Sequence, residues 1–158
     1  MSPIEEVIIN KKSNINPIWI MRQAGRYLPE FREIRKQNPD FIKLCLNEKL
    51  SSEITLQPLK RFDLDAAIIF SDILMVPFGL GQKVEFIKGK GPKLSEFNMK
   101  AFLDNDESNF TKRLNPVYQA IRNTRKKLSK EKSLISFIGA PWTLIVYMMG
   151  LRQDKKNI

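Results

Sequence analysis

The chain has 158 residues, with 27 Lys+Arg against 17 Asp+Glu, a formal net charge of +10, and no histidine. Apolar residues at 42% and charged residues at 28% are ordinary for one soluble domain, and exclude collagen-like, low-complexity and wholly disordered classes. The single cysteine, Cys45, and the missing histidines exclude an intrachain disulfide, a Ser-His-Asp triad, a Cys-His pair, a His-ligated metal and a thiolate zinc site within these residues. Chemistry here rests on carboxylates, Arg, Lys, Tyr and backbone.

Met1 to Lys12 contains only Val7-Ile8-Ile9 as an apolar run, too short for a signal-peptide core, so the expected location is the cytoplasm. Pro17-Ile18-Trp19-Ile20-Met21 reads as a first buried strand, and Arg22 to Gly25 as the loop after it. Pro29 to Arg35 reads as a helix with Pro in its first turn. Asp40 is placed to cap Phe41 to Leu46. Leu50, Ile54 and Leu59 form a helical stripe ending near Pro58. Ala66-Ala67-Ile68-Ile69-Phe70 is a second buried strand, followed by Ser71-Asp72. Lys83 to Ile87 alternates as a half-exposed strand or a hairpin arm would, and Gly89-Lys90-Gly91-Pro92 is a loop. Leu103 to Asn109 is acidic and exposed. Asn115-Pro116 opens a helix whose inward face is Val117, Ile121, Thr124 and Leu128. Leu134 to Ile138 is a third buried strand.

Ser133 to Leu151 carries no charge and has the length of a membrane span. Gly139-Ala140-Pro141 interrupts it, so strand, turn and helix is the preferred reading. Buried strands separated by helical crossovers imply parallel pairing and an α/β fold.

Ligands of α/β folds gather at the C-terminal ends of parallel strands. The first strand delivers Arg22, Gln23, Gly25 and Arg26. The second delivers Asp72, and Tyr147 lies a little beyond the third. Arg22 and Arg26 offer planar cationic forks for carboxylates or phosphates. Asp72 follows an apolar strand, where an unpaired carboxylate is costly. A helix cap or a structural ion pair explains it about as well as catalysis does. Tyr147 is equally at home as a core or lid aromatic. Asp65 precedes its strand and belongs to the opposite, stabilising end. Between Thr111 and Lys132 stand eight basic residues and one acid, Glu131. That pattern suits nucleic acid, yet it lacks interleaved aromatics beyond Tyr118, and a solvated outer helix explains it better.

Three stretches resemble the uroporphyrinogen decarboxylase family. They are Pro17 to Arg32, with the core Arg22-Gln23-Ala24-Gly25-Arg26, then Leu64 to Leu74, and Phe137 to Leu144. Small departures are Ser136 where the family has Gly, and Met149-Gly150-Leu151 in place of a Glu-Gly stretch. The resemblance implies a (β/α)8 barrel, which needs about 250 residues. Residues 1–158 are therefore expected to be the N-terminal part of one barrel domain, with about three of its parallel strands. A serine and a histidine of the later strands have no counterpart here.

The implied reaction converts the four acetate side chains of uroporphyrinogen III to methyl groups, giving coproporphyrinogen III and four CO2 in porphyrin and haem synthesis. It needs no cofactor and no metal. The implied partners are the octacarboxylate substrate and, in the full-length protein, a second copy in a homodimer, with no nucleic acid and no membrane. By the same resemblance Asp72, Arg22 and Arg26 carry the chemistry, and Gln23, Ala24, Gly25, Arg35 and Tyr147 join them in binding substrate. The alternatives are a related barrel methyltransferase and a non-enzymatic anion or RNA binder built on the basic helix.

Overall fold

The structure is a computed structural model that describes residues 1–11, 14–87 and 89–151. In chain order its elements are α1 (Pro3–Asn10), α2 (Pro29–Gln37), α3 (Phe41–Cys45), α4 (Glu48–Arg61), β1 (Ala66–Ile68), α5 (Met75–Gly79), β2 (Val84–Ile87), β3 (Gly91–Leu94), α6 (Met99–Leu103), α7 (Glu107–Lys127), β4 (Ser133–Ile135) and α8 (Pro141–Met148). They form two compact units, Met1–Ser71 with Pro116–Phe137, and Asp72–Asn115 with Ile138–Ile158.

In the first unit β1 and β4 pair in parallel, with Ala66 opposite Ser133 and Ile68 opposite Ile135. A parallel pair needs a long crossover, and α7 supplies its helix. The α/β class and the parallel pairing are as the sequence predicts. Above the sheet, Leu28, Phe31, Leu44 and Ile54 form a buried cluster, against which Ala24, Ile34, Leu50 and Phe70 pack. Phe31 and Phe41 both meet the Phe70 ring edge-on, at centroid distances of 5.7 and 5.8 Å. Each such side chain contributes about 1.5–3 kcal/mol through its burial. The bidentate Arg61–Glu30 pair, at 2.7 and 2.9 Å, ties α4 to α2.

Polar side chains finish what the short strand leaves open. Ser51 Oγ donates to the Phe70 carbonyl at 2.6 Å, and Thr55 Oγ1 accepts the Phe70 N–H at 2.8 Å. At the chain's start Ser2 and Glu5 form a capping box on α1. Ser2 also shares a hydrogen bond with the Ser133 hydroxyl on β4. No helix was expected over these residues, because a three-residue apolar run shows no helical face.

Four expectations need correction. Pro17 to Met21 is not a ladder strand and is not buried: Trp19, Ile20 and Met21 are exposed. Its hydrogen bonds go elsewhere, because the Asp65 carboxylate takes the Ile18 N–H and the Gln23 side-chain carbonyl takes the Ile20 N–H. The third strand ends at Ile135, half-buried, and Phe137 and Ile138 are exposed. Its sheet has only two strands among the described residues, so one side of the run is uncovered. Helix α4 runs through Pro58 to Arg61, where the Phe62 N–H still closes on the Pro58 carbonyl at 2.9 Å. Helix α7 starts at Glu107, capped by Asp106 Oδ1 on the Asn109 N–H at 2.7 Å, so Asn115 is no cap and Pro116 lies inside the helix.

In the second unit β2 and β3 form an antiparallel hairpin, with Val84 opposite Leu94, so Lys83 to Ile87 is the hairpin arm of its two readings, and Gly91-Pro92, expected in a loop, open β3 because they pair with Ile87 and Phe86. Gly89 (φ +79°) and Gly91 (φ +84°) sit in the left-handed region that its turn requires. α5 packs against α8. Gly79 lies so close to α7 that a Cβ there would stand 2.7 Å from a Phe110 ring carbon. No helix among the described residues is long and apolar enough to cross a membrane.

Candidate functional site

The arginine loop lies in the first unit. The Gln23 N–H bonds to the Ile20 carbonyl at 3.1 Å and the Leu28 N–H to the Gly25 carbonyl at 3.0 Å, giving two successive turns. Gln23 is only 2% exposed. Its Nε2 donates to the Ala66 carbonyl at 2.8 Å and its Oε1 accepts the Ile20 N–H at 3.2 Å. The Tyr27 hydroxyl donates to the Gln23 carbonyl. Arg32 Nη1 donates to the carbonyls of Arg26 and Tyr27 at 2.9 and 3.1 Å. The side chains of Arg22 and Arg26 are exposed, with no hydrogen bond or ion pair to a described residue. Ala24 and Gly25 are half-buried between them. The loop thus presents two cationic forks from a backbone held by its own polar groups.

Arg35 is used differently. Its Nη1 donates to the Asn38 carbonyl at 2.6 Å, and its guanidinium lies over the Phe41 ring, 5.5 Å from the centroid. Asp65, placed by its sequence position at the stabilising end of its strand, binds Ile18 twice: Oδ2 accepts the Ile18 N–H at 2.6 Å, and the Asp65 N–H meets the Ile18 carbonyl at 2.8 Å.

Asp72 and Tyr147 belong to the second unit. Asp72 is half-buried, and its Oδ1 accepts the Leu74 N–H at 2.8 Å in the turn before α5. Burial raises its pKa above the ordinary 3.8, and the Leu74 bond offsets this in part. Its Oδ2 has no hydrogen-bond partner among the described residues. A carboxylate with one oxygen fixed and the other open, in a setting that disfavours its charge, gains from an approaching cation or N–H donor. Tyr147, on α8, is half-buried and lines a groove of about 310 Å³ with Lys93, Ser95 and Phe97 from β3 and the segment after it. Next to this groove Gln82 donates to the carbonyls of Ser95 and Met148 at 2.7 and 2.9 Å.

The sequence profile of the uroporphyrinogen decarboxylase family matches residues 1–158. The chain belongs to the uroporphyrinogen decarboxylase family. It is 50% identical over 136 residues to the uroporphyrinogen decarboxylase of Chelativorans sp. (strain BNC1), covering 86% of this chain and 40% of that protein. It is 49% identical over 148 residues to that of Campylobacter jejuni, covering 91% and 43%. With the Agrobacterium fabrum protein it is 49% identical over 134 residues, covering 85% and 39%. The chain therefore spans about two fifths of the length of the curated decarboxylases it matches. Among solved structures a methyltransferase from Methanosarcina mazei superposes with TM-score 0.65 at 12% identity, over 89% of this chain and 42% of that one. That likeness shows a shared fold and carries no activity.

Family resemblance singled out the arginine loop and Asp72, and strand position singled out Asp65 as stabilising. The partner of Asp65, Ile18, lies 47 residues away, and Gln82, beside the Tyr147 groove, was not singled out, because its partners Ser95 and Met148 lie 13 and 66 residues away. The basic residues near α7 are partly structural. Arg125 donates to the carbonyls of Leu128, Ser129 and Lys132, Arg113 to that of Gly79, and Lys132 pairs with Asp63 at 3.0 Å.

Proposed function

We propose that this chain is the N-terminal, substrate-holding part of a uroporphyrinogen decarboxylase barrel, acting in the cytoplasm as part of a homodimeric enzyme that uses no cofactor. The observation that carries the reading is the family match over the whole chain, with the arginine loop intact inside it. The substrate carries eight carboxylates. Arg22, Arg26 and Arg35 hold some of them, with the backbone of Gln23, Ala24 and Gly25 drawn close, and Tyr147 flanks the bound ring.

Loss of CO2 from an acetate arm leaves an electron pair that needs a sink. Protonation of the adjacent pyrrole supplies one as a cationic, iminium-like ring. Asp72, on this reading, accepts the pyrrole N–H groups through its open oxygen and stabilises that cation. Its raised pKa supports the role: a carboxylate short of stabilising partners has most to gain from the cation that forms in the reaction.

A chimera tests the proposal. This chain is joined to the remaining length of the Campylobacter jejuni relative and given uroporphyrinogen III anaerobically. Coproporphyrinogen is expected from the chimera and none from the chain alone. A folded chimera without decarboxylation refutes the assignment, and turnover by the chain alone refutes its incompleteness.

A further inference from the structure

All four polar groups of Gln23 are already engaged. Its N–H and carbonyl are taken by Ile20 and Tyr27, its Nε2 by Ala66, and its Oε1 by Ile20. A carboxamide that is 2% exposed and held at both ends has little surface to offer a ligand. Arg22 before it and Arg26 three residues after it are the reverse, with exposed guanidiniums that have no described partner. Asp65 closes the N-terminal end of the same segment with two bonds to Ile18, and Arg32 closes its C-terminal end on the carbonyls of Arg26 and Tyr27. The loop is thus fastened at three points, and the two arginine side chains are the parts left free.

We propose that Gln23 is a positioning residue: with Asp65 it fixes the backbone that presents Arg22 and Arg26, and it touches no substrate carboxylate itself. This rests on the reading of the loop as a carboxylate clamp and deepens it. Two forks aimed at separate carboxylates of one macrocycle bind best when their spacing is set in advance. A loop that must order itself on binding gives up affinity to do so. Gln23 supplies the order in advance through Ala66, a residue 43 positions away on β1.

The experiment uses the full 158-residue chain and uroporphyrin I, the stable oxidised octacarboxylate, as probe. Gln23→Met keeps length and apolar bulk and removes both carboxamide bonds. Amides of residues 20–28 are expected to exchange at least tenfold faster, with α4 protection unchanged, and uroporphyrin affinity is expected to fall tenfold or more. Adding Arg26→Lys should then cost little further, whereas in the parent it weakens binding on its own. Asp65→Asn, which keeps an acceptor for the Ile18 N–H, should stay close to the parent in exchange, and Asp65→Ala should loosen the loop as Gln23→Met does. The proposal is overturned if Gln23→Met leaves exchange at 20–28 unchanged, if protection falls equally throughout the first unit, or if affinity holds while exchange rises. A parent chain that binds no uroporphyrin refutes the clamp reading instead, and the exchange comparison then decides the positioning role by itself.

Discussion

Phe70 lies two residues past β1, immediately before Ser71-Asp72, and both of its backbone groups are satisfied by side chains of α4. Thr55 Oγ1 accepts its N–H at 2.8 Å and itself donates to the Ser51 carbonyl at 2.7 Å, and Thr55 is fully buried. Thr55→Val keeps the shape and the β-branch and removes the acceptor. The Phe70 amide is then left without its partner, at a cost of about 1–3 kcal/mol. Helix propensity barely changes, so about 2 kcal/mol is the expected loss. With a urea dependence of about 2 kcal/mol per molar, the unfolding midpoint should fall by about 1 M. Ser51→Ala removes the matching bond to the Phe70 carbonyl and should cost about 1 kcal/mol. The double variant should depart from additivity, because both bonds serve one residue. A Thr55→Val chain whose midpoint equals the parent's would show that the strand end is not held this way.

Asp72→Asn keeps an acceptor for the Leu74 N–H and removes a charge that burial disfavours. In a complete decarboxylase carrying this half, kcat should fall about 10²–10³-fold. A raised folded pKa means that the charged carboxylate lowers stability as pH rises through the unfolded value of 3.8 toward the folded one. Thermal melts at pH 7 should therefore show the Asn variant at least as stable as the parent, and a lower Tm would return Asp72 to a structural role. Glu30 is the opposite case: its bond to Arg61 holds its pKa at about 2 against an ordinary 4.5. The stability it adds is present above 4.5 and is lost between 4.5 and about 2, so Arg61→Met should flatten the acid limb of a urea-midpoint profile in that window. Gly139→Ala places a Cβ 2.7 Å from Leu144 Cδ2, 3.0 Å from its Cγ and 3.2 Å from Ile73 Cβ. Overpacking of this kind costs about 1–3 kcal/mol, read as a Tm lowered by several degrees.

The helices were legible where their signals are local. Pro29 at a first turn, Asp40 as a cap, and the inward stripe of α7 through Thr124 and Leu128 are all visible within a few residues. The misreadings share one cause. Apolar runs such as Pro17–Met21 and Leu134–Ile138 look buried because burial is usual for such runs, but burial depends on what lies opposite, and a run does not encode that. Asn115-Pro116 looks like a helix start because Pro needs no N–H donor there, yet Asp106 offers a cap nine residues earlier and the helix carries Pro116 inside. The arginine loop and Asp72 were found through family resemblance. Gln23 and Asp65 were also picked out, one by resemblance and one by strand position, but their contacts were not, because Gln23 with Ala66 and Asp65 with Ile18 meet across 43 and 47 residues.

Ser133 completes the first unit in a way that bears on synthesis. Its N–H meets the Asp65 carbonyl at 2.9 Å and its hydroxyl meets Ser2, 131 residues earlier. At about 5–20 residues per second, the ribosome reaches Ser133 on the order of ten seconds after Ser2. Through that interval α1 has no β4 to rest on and β1 has no parallel neighbour. A slow codon placed just before Ser133 should therefore lengthen the time β1 spends unpaired more than one placed after it.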